Sequence, residues 1–267
     1  MDETTEVQTF NREKLSVLLP TYNNAELIRD CLESVKWADE ILVVDSFSTD
    51  ETPAICREYG ARVIQRAYDQ SANQKNWAIP QCAHAWVLQI DTDERLEPGL
   101  HEEIEQALHQ APPDVDGYWL PFKHHVLGQW VRECGLYPEY HLRLFRKAAG
   151  RFQDREVHAH LEVPGQVATL RRHILHYGMP YITKQLSNLD RYSRYQADQL
   201  KKQGKRFHWY QLILRPVVVF LYYYFWKRGF RAGYRGLLLA ASNATFDFWA
   251  HAKLWELTTL RLKASPK

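Results

Sequence analysis

The sequence predicts an α/β fold in which a mostly parallel sheet is flanked by helices. Four short apolar segments alternate with segments of helical spacing through the first 110 residues. Three of these apolar segments end at polar or acidic residues, Thr21, Asp45 and Asp91. A β-α-β-α order implies a doubly wound parallel sheet, whose ligands bind beyond the carboxyl ends of the strands. The three strand ends should therefore converge on one cleft.

The elements of the first half follow from apolar runs and from helix start and stop signals. Asn23 or Asn24 can cap the first helix, Ser48 and Glu51 form a capping box for the second, and Gly60 ends it. The predicted strands are Leu15–Leu19, Glu40–Asp45, Arg62–Gln65 and Trp86–Asp91. The later helices are Ser71–Cys82 and Gly99–Gln110.

The second half changes character near residue 180. Gly117–Phe122 and Tyr140–Arg146 are predicted strands, Gln129–Gly135 is a loop, and the pattern is helical from Ile182 onward. We therefore expect a sheet domain over 1–180 and a helical region over 181–267.

Composition excludes several classes of protein. The chain has 267 residues, 45% of them hydrophobic and 25% charged, which suits a globular protein with a substantial core. A net charge of +2 argues against a nucleic-acid partner. The four cysteines are widely spaced and form no CxxC pair, so neither a zinc site nor a disulfide framework is expected. Without a disulfide framework, a reducing cytosol is expected. The N-terminus has no apolar h-region, so it is not expected to be a secretory signal.

The helical region contains an apolar, aromatic run over residues 217–226 with basic residues on both sides. This run is about half of the roughly 20 residues that span a bilayer, so no spanning helix is expected. Basic residues beside aromatic ones suit the headgroup interface. We expect peripheral contact with the anionic inner face of the cell membrane. Packing of a buried helical hairpin, or of a dimer, is the alternative.

The stretch DTDE at residues 91–94 indicates chemistry with a divalent cation. Asp91 and Asp93 stand one residue apart at a strand end, where their oxygens can hold a cation that in turn holds a diphosphate. An N-cap and a solvated loop charge are the structural alternative. No GxGxxG follows the first strand and no GxxxxGK[ST] occurs, which disfavours dinucleotide-binding and P-loop proteins.

Several motifs together resemble glycosyltransferase family 2, and more narrowly its lipopolysaccharide-core β-glucosyltransferase branch. They are PTYN at 20–23, WADEILVVDSFSTDET at 37–52, NQKN at 73–76, DTDE at 91–94, GQWVRECG at 128–135, HLRLFR at 141–146, REVH at 155–158 and LHYG at 175–178. The resemblance implies a GT-A fold, a UDP-sugar donor, Mg²⁺ or Mn²⁺, and inverting transfer of a hexose such as glucose. The implied acceptor is a lipid-linked or lipopolysaccharide-type saccharide.

The resemblance also implies roles for the strand-end residues in binding the donor. Thr21 and Tyr22 would contact it, with Tyr22 against the uracil face. Asp45 would accept a hydrogen bond from the base, and Asp91 would face the ribose. Lys75 would lie near the nucleotide or its phosphates, although a solvated helix charge is the structural alternative.

For the metal and the catalytic base, the resemblance is less complete. Asp93 would ligate the metal, and His176 matches a histidine near metal and diphosphate, with a core histidine as the alternative. Relatives commonly read Val-His-Glu, and that Glu is the expected base, but this chain has Ala159 there. We therefore expect His158 as the base, with Glu156 second. Other candidates nearby are Asp154, His160 and Glu162.

Ala159 also motivates a hypothesis of a different class. A protein that binds a sugar nucleotide but has lost catalysis would act as a scaffold in a polysaccharide assembly complex. A nucleotidyltransferase is disfavoured, because the first strand leads to PTYN rather than to a glycine-rich nucleotide loop.

Overall fold

The computed structural model describes residues 13–153 and 160–259, with the backbone alone at 184. These residues form two compact units. The first comprises the described residues up to Pro121 together with Tyr140–Leu175, and the second comprises Phe122–Glu139 with the described residues from His176 onward.

The elements alternate in the first half and become helical toward the end. The strands are β1 (Leu15–Thr21), β2 (Glu40–Asp45), β3 (Arg62–Gln65), β4 (Trp86–Gln89), β5 (Glu94–Leu96), β6 (Val115–Val126), β7 (Gln129–Trp130), β8 (Tyr140–Arg146), β9 (Arg151–Phe152), β10 (Leu161–Glu162), β11 (Gln166–Thr169) and β12 (Ile174–Met179). The α-helices are α1 (Ala25–Val35), α2 (Thr52–Glu58), α3 (Ser71–Ala78), α4 (Leu100–His109), α5 (Ile182–Lys202), α6 (Gln211–Leu221) and α7 (Gly233–Thr259).

The sheet of the first unit contains the parallel arrangement that the sequence predicts. Its strand order runs β3-β2-β1-β4-β8-β6. The strands β3, β2, β1 and β4 are parallel, while β8 is antiparallel to both β4 and β6. Leu18, Val44 and Phe145 are fully buried in its core. Because the four parallel strands point the same way, their carboxyl ends lie along one edge of the sheet.

The predicted capping box is wrong. The Ser48 hydroxyl accepts the Asn23 backbone N–H at 2.8 Å, and α2 begins only at Thr52. The Asp50 carboxylate instead accepts the N–H of Ala25 at 3.2 Å and that of Thr52 at 3.0 Å. One side chain therefore satisfies the first residue of both α1 and α2, which joins the two loops that follow β1 and β2.

Other element bounds differ from the predictions for local reasons. The helix α3 ends at Ala78 and continues as a 3₁₀ turn, because Pro80 removes a backbone donor. Asn24 occupies the N-cap of α1, but its side chain makes no capping hydrogen bond. The strand β4 ends at Gln89, and the unpredicted strand β5 begins three residues after Asp91.

The second unit is organised around the long helix α7. Val126, Cys134, Met179 and Leu239 form its buried apolar cluster. The helical region is not continuous: a π-helical turn over Tyr222–Trp226 and a 3₁₀ turn separate α6 from α7. All four cysteines of the chain are free and buried.

Candidate functional site

The ends of β1 and β2 present an aromatic ring beside a buried carboxylate. Thr21 and Asp45 are partners in the parallel register. Asp45 is fully buried, and its carboxylate accepts the Ser48 N–H at 3.1 Å and the Gln65 side-chain amide at 3.0 Å. Tyr22 is 56% exposed, and the buried Thr21 hydroxyl has no hydrogen-bond partner among the described residues. A flat ring is thus accessible next to a polar site of fixed geometry.

At the end of β4, Asp91 is held between two cations. Its Oδ1 lies 3.3 Å from the Lys75 Nζ and 2.9 Å from the Gln89 amide, and its Oδ2 lies 3.2 Å from the Arg143 Nη2. Arg143 also donates to Glu94, which is 2% exposed, and to Gln89. The structure therefore brings the predicted residues Asp91, just after strand β4, and Lys75, on helix α3, together.

These contacts set the protonation states of the cluster. Burial raises the pKa of Asp91, but the positive charges of Lys75 and Arg143 outweigh burial and hold that pKa well below its usual range. For Arg143, burial lowers the pKa, and the carboxylates of Glu94 and Asp91 more than compensate, so the net pKa is raised. Asp91 is therefore an anion and Arg143 a cation at neutral pH.

Arg143 belongs to the site, although the sequence analysis assigned it no role. Its side chain is 12% exposed and paired with Glu94. The signal was present in YHLRLFR, where period-two alternation puts Arg143 on the same face as Phe145, a fully buried residue. A charge on the buried face of a strand needs a buried partner of opposite charge, because an unpaired buried charge is costly in free energy.

Helix α3 connects this cluster to the segment that carries the candidate bases. Asn76 makes two hydrogen bonds to the backbone of Phe152, donating to its O at 2.9 Å and accepting its N–H at 2.8 Å. The Lys75 Nζ lies 5.2 Å from the centre of the Phe152 ring. Strand β9, which contains Phe152, pairs with β10. The predicted bases His158 and Glu156 lie outside the described residues, and so does Ala159.

Asp93 lies in the turn between β4 and β5, partly buried, and contributes to raising the pKa of Arg143. Among the described residues, no three His, Cys, Asp or Glu side chains converge to hold a metal ion. Mg²⁺ in nucleotide sites is commonly bound by one or two carboxylates and by substrate phosphates. The donor chemistry of Asp93 fits such a cation, since its carboxylate is a hard oxygen ligand.

His176 belongs to the second unit, where it contacts another histidine. Its Nδ1 lies 2.9 Å from the Nδ1 of His124, and the Nε2 of His124 lies 2.7 Å from the carboxylate of Glu139. The two imidazole rings and the carboxylate form one polar chain on β6, β12 and the segment before β8. The role of His176 in metal binding stays a prediction.

The second unit also exposes a large apolar surface. Helix α6 has no buried residue, and its outward side chains are more than 45% exposed, as are Trp226 and Phe225. The exposed residues of α6 are Ile213, Leu214, Val217, Val218 and Leu221. Over the described ranges, no helix is both long enough and apolar enough to cross a membrane. Apolar surface of this extent marks an interaction site for a partner or a membrane.

Known proteins resemble this chain in sequence and in fold. The profile of glycosyl transferase family 2 matches residues 16–175. LpsC, a lipopolysaccharide core biosynthesis glycosyltransferase of Rhizobium meliloti strain 1021, is 30% identical over 256 residues, which cover 93% of this chain and 94% of LpsC. An uncharacterized glycosyltransferase of Rickettsia felis is 30% identical over 257 residues, covering 91% of this chain and 90% of the relative.

Among solved structures, the mannosyltransferase PcManGT of Pyrobaculum calidifontis, in complex with GDP-Man and Mn²⁺, aligns with a TM-score of 0.53 at 15% identity. The alignment covers 92% of this chain and 88% of PcManGT. The fold is thus of the GT-A glycosyltransferase class, as the sequence resemblance predicted. The matching profile and the similarity to LpsC show that the chain belongs to glycosyl transferase family 2.

Proposed function

We propose that the protein is an inverting glycosyltransferase that moves a hexose, such as glucose, from a UDP-sugar to a saccharide acceptor. The observation that carries this proposal is the charged cluster at the end of β4, where Lys75 and Arg143 fix the Asp91 carboxylate beside Asp93. Together with Tyr22 and Asp45, these residues line one edge of the sheet. That edge is where open α/β sheets bind their ligands.

Each strand end has its own role in binding the donor. The exposed Tyr22 ring stacks on the uracil, and Asp45 accepts a hydrogen bond from the base with the Thr21 hydroxyl close by. Asp91 accepts hydrogen bonds from the ribose, since its pKa keeps it an anion. Lys75 faces the diphosphate, where its positive charge offsets the negative charge of the departing UDP.

Mg²⁺ or Mn²⁺ would complete the donor site, with Asp93 as its carboxylate ligand. Such a cation, held by Asp93, would supply positive charge that stabilises the departing diphosphate. PcManGT, which shares the fold, was solved with Mn²⁺ and GDP-Man. Asp93 supplies the oxygen chemistry that hard cations prefer.

On the acceptor side, an inverting transfer needs one base. That base removes the proton of the acceptor hydroxyl while the oxygen attacks the face opposite the leaving UDP. His158 is our first candidate and Glu156 the second. The Asn76 side chain fixes the backbone of Phe152, which precedes the segment that carries both candidates in the sequence.

The acceptor in this proposal is a lipid-linked or lipopolysaccharide-type saccharide at the cytoplasmic face of the membrane. LpsC, which aligns along nearly its whole length, is named for lipopolysaccharide core biosynthesis. The exposed side chains of α6, with Arg228 and Arg231 nearby in sequence and also exposed, suit peripheral contact with an anionic bilayer.

The test is UDP release from UDP-glucose and other UDP-sugars, with Mn²⁺ and with Mg²⁺, in the presence of lipopolysaccharide-type acceptors. Asp93→Ala should lose at least about 100-fold in turnover, since charge stabilisation contributes several kcal/mol. Asp198→Ala, which removes a carboxylate from α5, is the matched control and should behave as wild type. Equal turnover by the two variants would reject the metal role of Asp93.

A second experiment separates catalysis from scaffolding and identifies the base. UDP binding measured by calorimetry, with no transfer to any acceptor of a broad panel, would favour the scaffold that Ala159 suggests. If transfer occurs, His158→Ala and Glu156→Gln should differ in the pH profile of kcat/KM. Removal of the true base abolishes the acidic limb of that profile.

A further inference from the structure

The second unit contains a polar cleft that no donor or acceptor role accounts for. It has a volume of about 280 Å³ and is lined by side chains of α5, α6, α7 and the loop after α5. Its polar lining residues are Gln196, Lys205, Arg206, Gln211, Arg215, Asp247 and His251. Since a water molecule occupies about 30 Å³ in the liquid, the volume suits a small polar group.

The charge of the cleft is positive and only partly compensated. Arg215 is bound by Asp247, with its Nη2 2.9 Å from Oδ1 and its Nε 3.2 Å from Oδ2. Lys205 and Arg206 are exposed and make no side-chain hydrogen bond or ion pair with any other residue that the structure describes. Three cations against one carboxylate leave two positive charges available to a ligand.

The floor of the cleft is buried and hydrogen-bonded, which distinguishes it from a solvated row of charges. His251 is 5% exposed, and its Nδ1 bonds the Asp247 carbonyl at 2.9 Å. Leu254 is 1% exposed, and Gly204, with φ of +70°, turns the chain so that Lys205 and Arg206 follow directly after α5. The Lys205 N–H donates to the Leu200 carbonyl at 3.0 Å, which fixes that turn.

The cleft and the exposed apolar surface share helix α6. Arg215 and Gln211 line the cleft from the same helix whose Leu214 and Val218 are about 60% exposed. The loop between α5 and α6 adds Trp209, which is 71% exposed. An apolar helix face beside a cationic pocket matches the two parts of a phospholipid, the acyl boundary and the charged headgroup.

We propose that this cleft binds the phosphate group of an anionic lipid headgroup, with Lys205 and Arg206 as its ligands and Arg215, oriented by Asp247, at its wall. This inference rests on the membrane contact of the proposed function and gives that contact a specific site. Phosphate is the recognised chemistry, and we commit to the lipid as its source because the apolar surface adjoins the cleft.

The experiment compares three forms of the full chain for binding to phosphatidylcholine vesicles with and without phosphatidylglycerol. The double variant Lys205→Gln/Arg206→Gln removes the two available charges. Arg57→Gln/Arg171→Gln removes two exposed charges from the first unit and is the control of equal net charge. At about 1 kcal/mol per basic residue near an anionic surface, the cleft variant should bind roughly 30-fold more weakly to phosphatidylglycerol vesicles. The control should bind as wild type.

Each outcome has a distinct meaning. If the cleft variant and the control lose the same affinity, the cleft site is wrong and only diffuse charge acts, while the membrane contact stands. If wild type fails to bind either vesicle, the membrane contact itself is wrong. A further arm titrates wild type with inorganic phosphate. Saturable binding that the cleft variant loses, without any difference on vesicles, would overturn the lipid as the source of the phosphate.

Discussion

Replacing Arg143 by Met tests whether the charged cluster at the end of β4 is a buried network. The substitution keeps much of the side-chain volume but removes the guanidinium that contacts Gln89, Asp91 and Glu94. Glu94 is 2% exposed and would keep a buried charge without its Arg143 partner. Removing one partner of a buried ion pair costs about 3–5 kcal/mol, so we expect the free energy of unfolding to fall by that amount.

The matched control is Arg29→Met, which breaks an ion pair of the same type at the surface. The Arg29 Nη1 lies 2.7 Å from the Glu58 carboxylate, and both side chains are about half exposed. Exposed pairs contribute about 0–1 kcal/mol, so the control should be nearly neutral. Urea denaturation, followed by tryptophan fluorescence and circular dichroism, measures both variants. Equal small losses would refute the description of the cluster as a buried network.

The pH dependence provides an internal check on the same variant. The pKa of folded Asp91 is lowered, mainly by Lys75 and Arg143 against the opposing effect of burial. Its ionised form therefore stabilises the fold above the unfolded pKa of about 3.9, and this stabilisation is lost as pH falls through the folded pKa. Arg143→Met should make Asp91 less acidic, so the deficit relative to wild type should narrow as pH falls below about 4.

Four further predictions concern the site, the thiols and the surface. Tyr22→Ala should raise the Kd for UDP at least about fivefold in calorimetry, since stacking on a base contributes about 1–3 kcal/mol, whereas Tyr22→Phe should retain affinity. Asn76→Ala should lower kcat roughly 10- to 100-fold with little change in UDP affinity, because it releases the backbone of Phe152 before the base segment; Asn73→Ala on the same helix should not, and equal kcat values would contradict the positioning role. Burial raises the pKa of the Cys56 and Cys82 thiols to about 12 and that of Cys134 to about 11, so a disulfide reagent at pH 8 should label them only after unfolding; rapid labelling of the native chain would be inconsistent with the structure. Leu214→Glu should weaken vesicle binding about tenfold or more, since a buried Leu side chain contributes about 1.5–3 kcal/mol, while Leu186→Glu, at nearly equal exposure on α5, should not; similar losses would argue against α6 as the contact surface.

Much of the fold is determined by local patterns in the sequence. The strands over Glu40–Asp45, Arg62–Gln65 and Tyr140–Arg146 have the predicted bounds. Short apolar runs and period-two alternation are local patterns that need no long-range information. The combination of PTYN, WADE, QKN and DTDE was sufficient for the family, which the matching profile and LpsC confirm. The roles of the individual site residues, His158 and His176 included, stay predictions.

Only the tertiary structure decided how the polar groups pair. The sequence offered Ser48 and Glu51 as a capping box, but Ser48 accepts the Asn23 N–H, and the Asp50 carboxylate accepts the first N–H of both helices. In the same way, DTDE indicated two aspartates at a strand end. It did not indicate that Arg143, 52 positions from Asp91, would bind the Asp91 carboxylate.

The difference has one physical cause. Apolar periodicity depends on residues a few positions apart, so the chain itself displays which segments form strands and helices. Hydrogen bonds and ion pairs depend on distances of about 3 Å between side chains that only folding brings together. The sequence therefore determined the sheet, its acidic edge and the family. The tertiary structure decided which cations hold Asp91 and which side chain accepts the first N–H of α1 and α2. It also decided which apolar face of the second unit remains exposed to solvent.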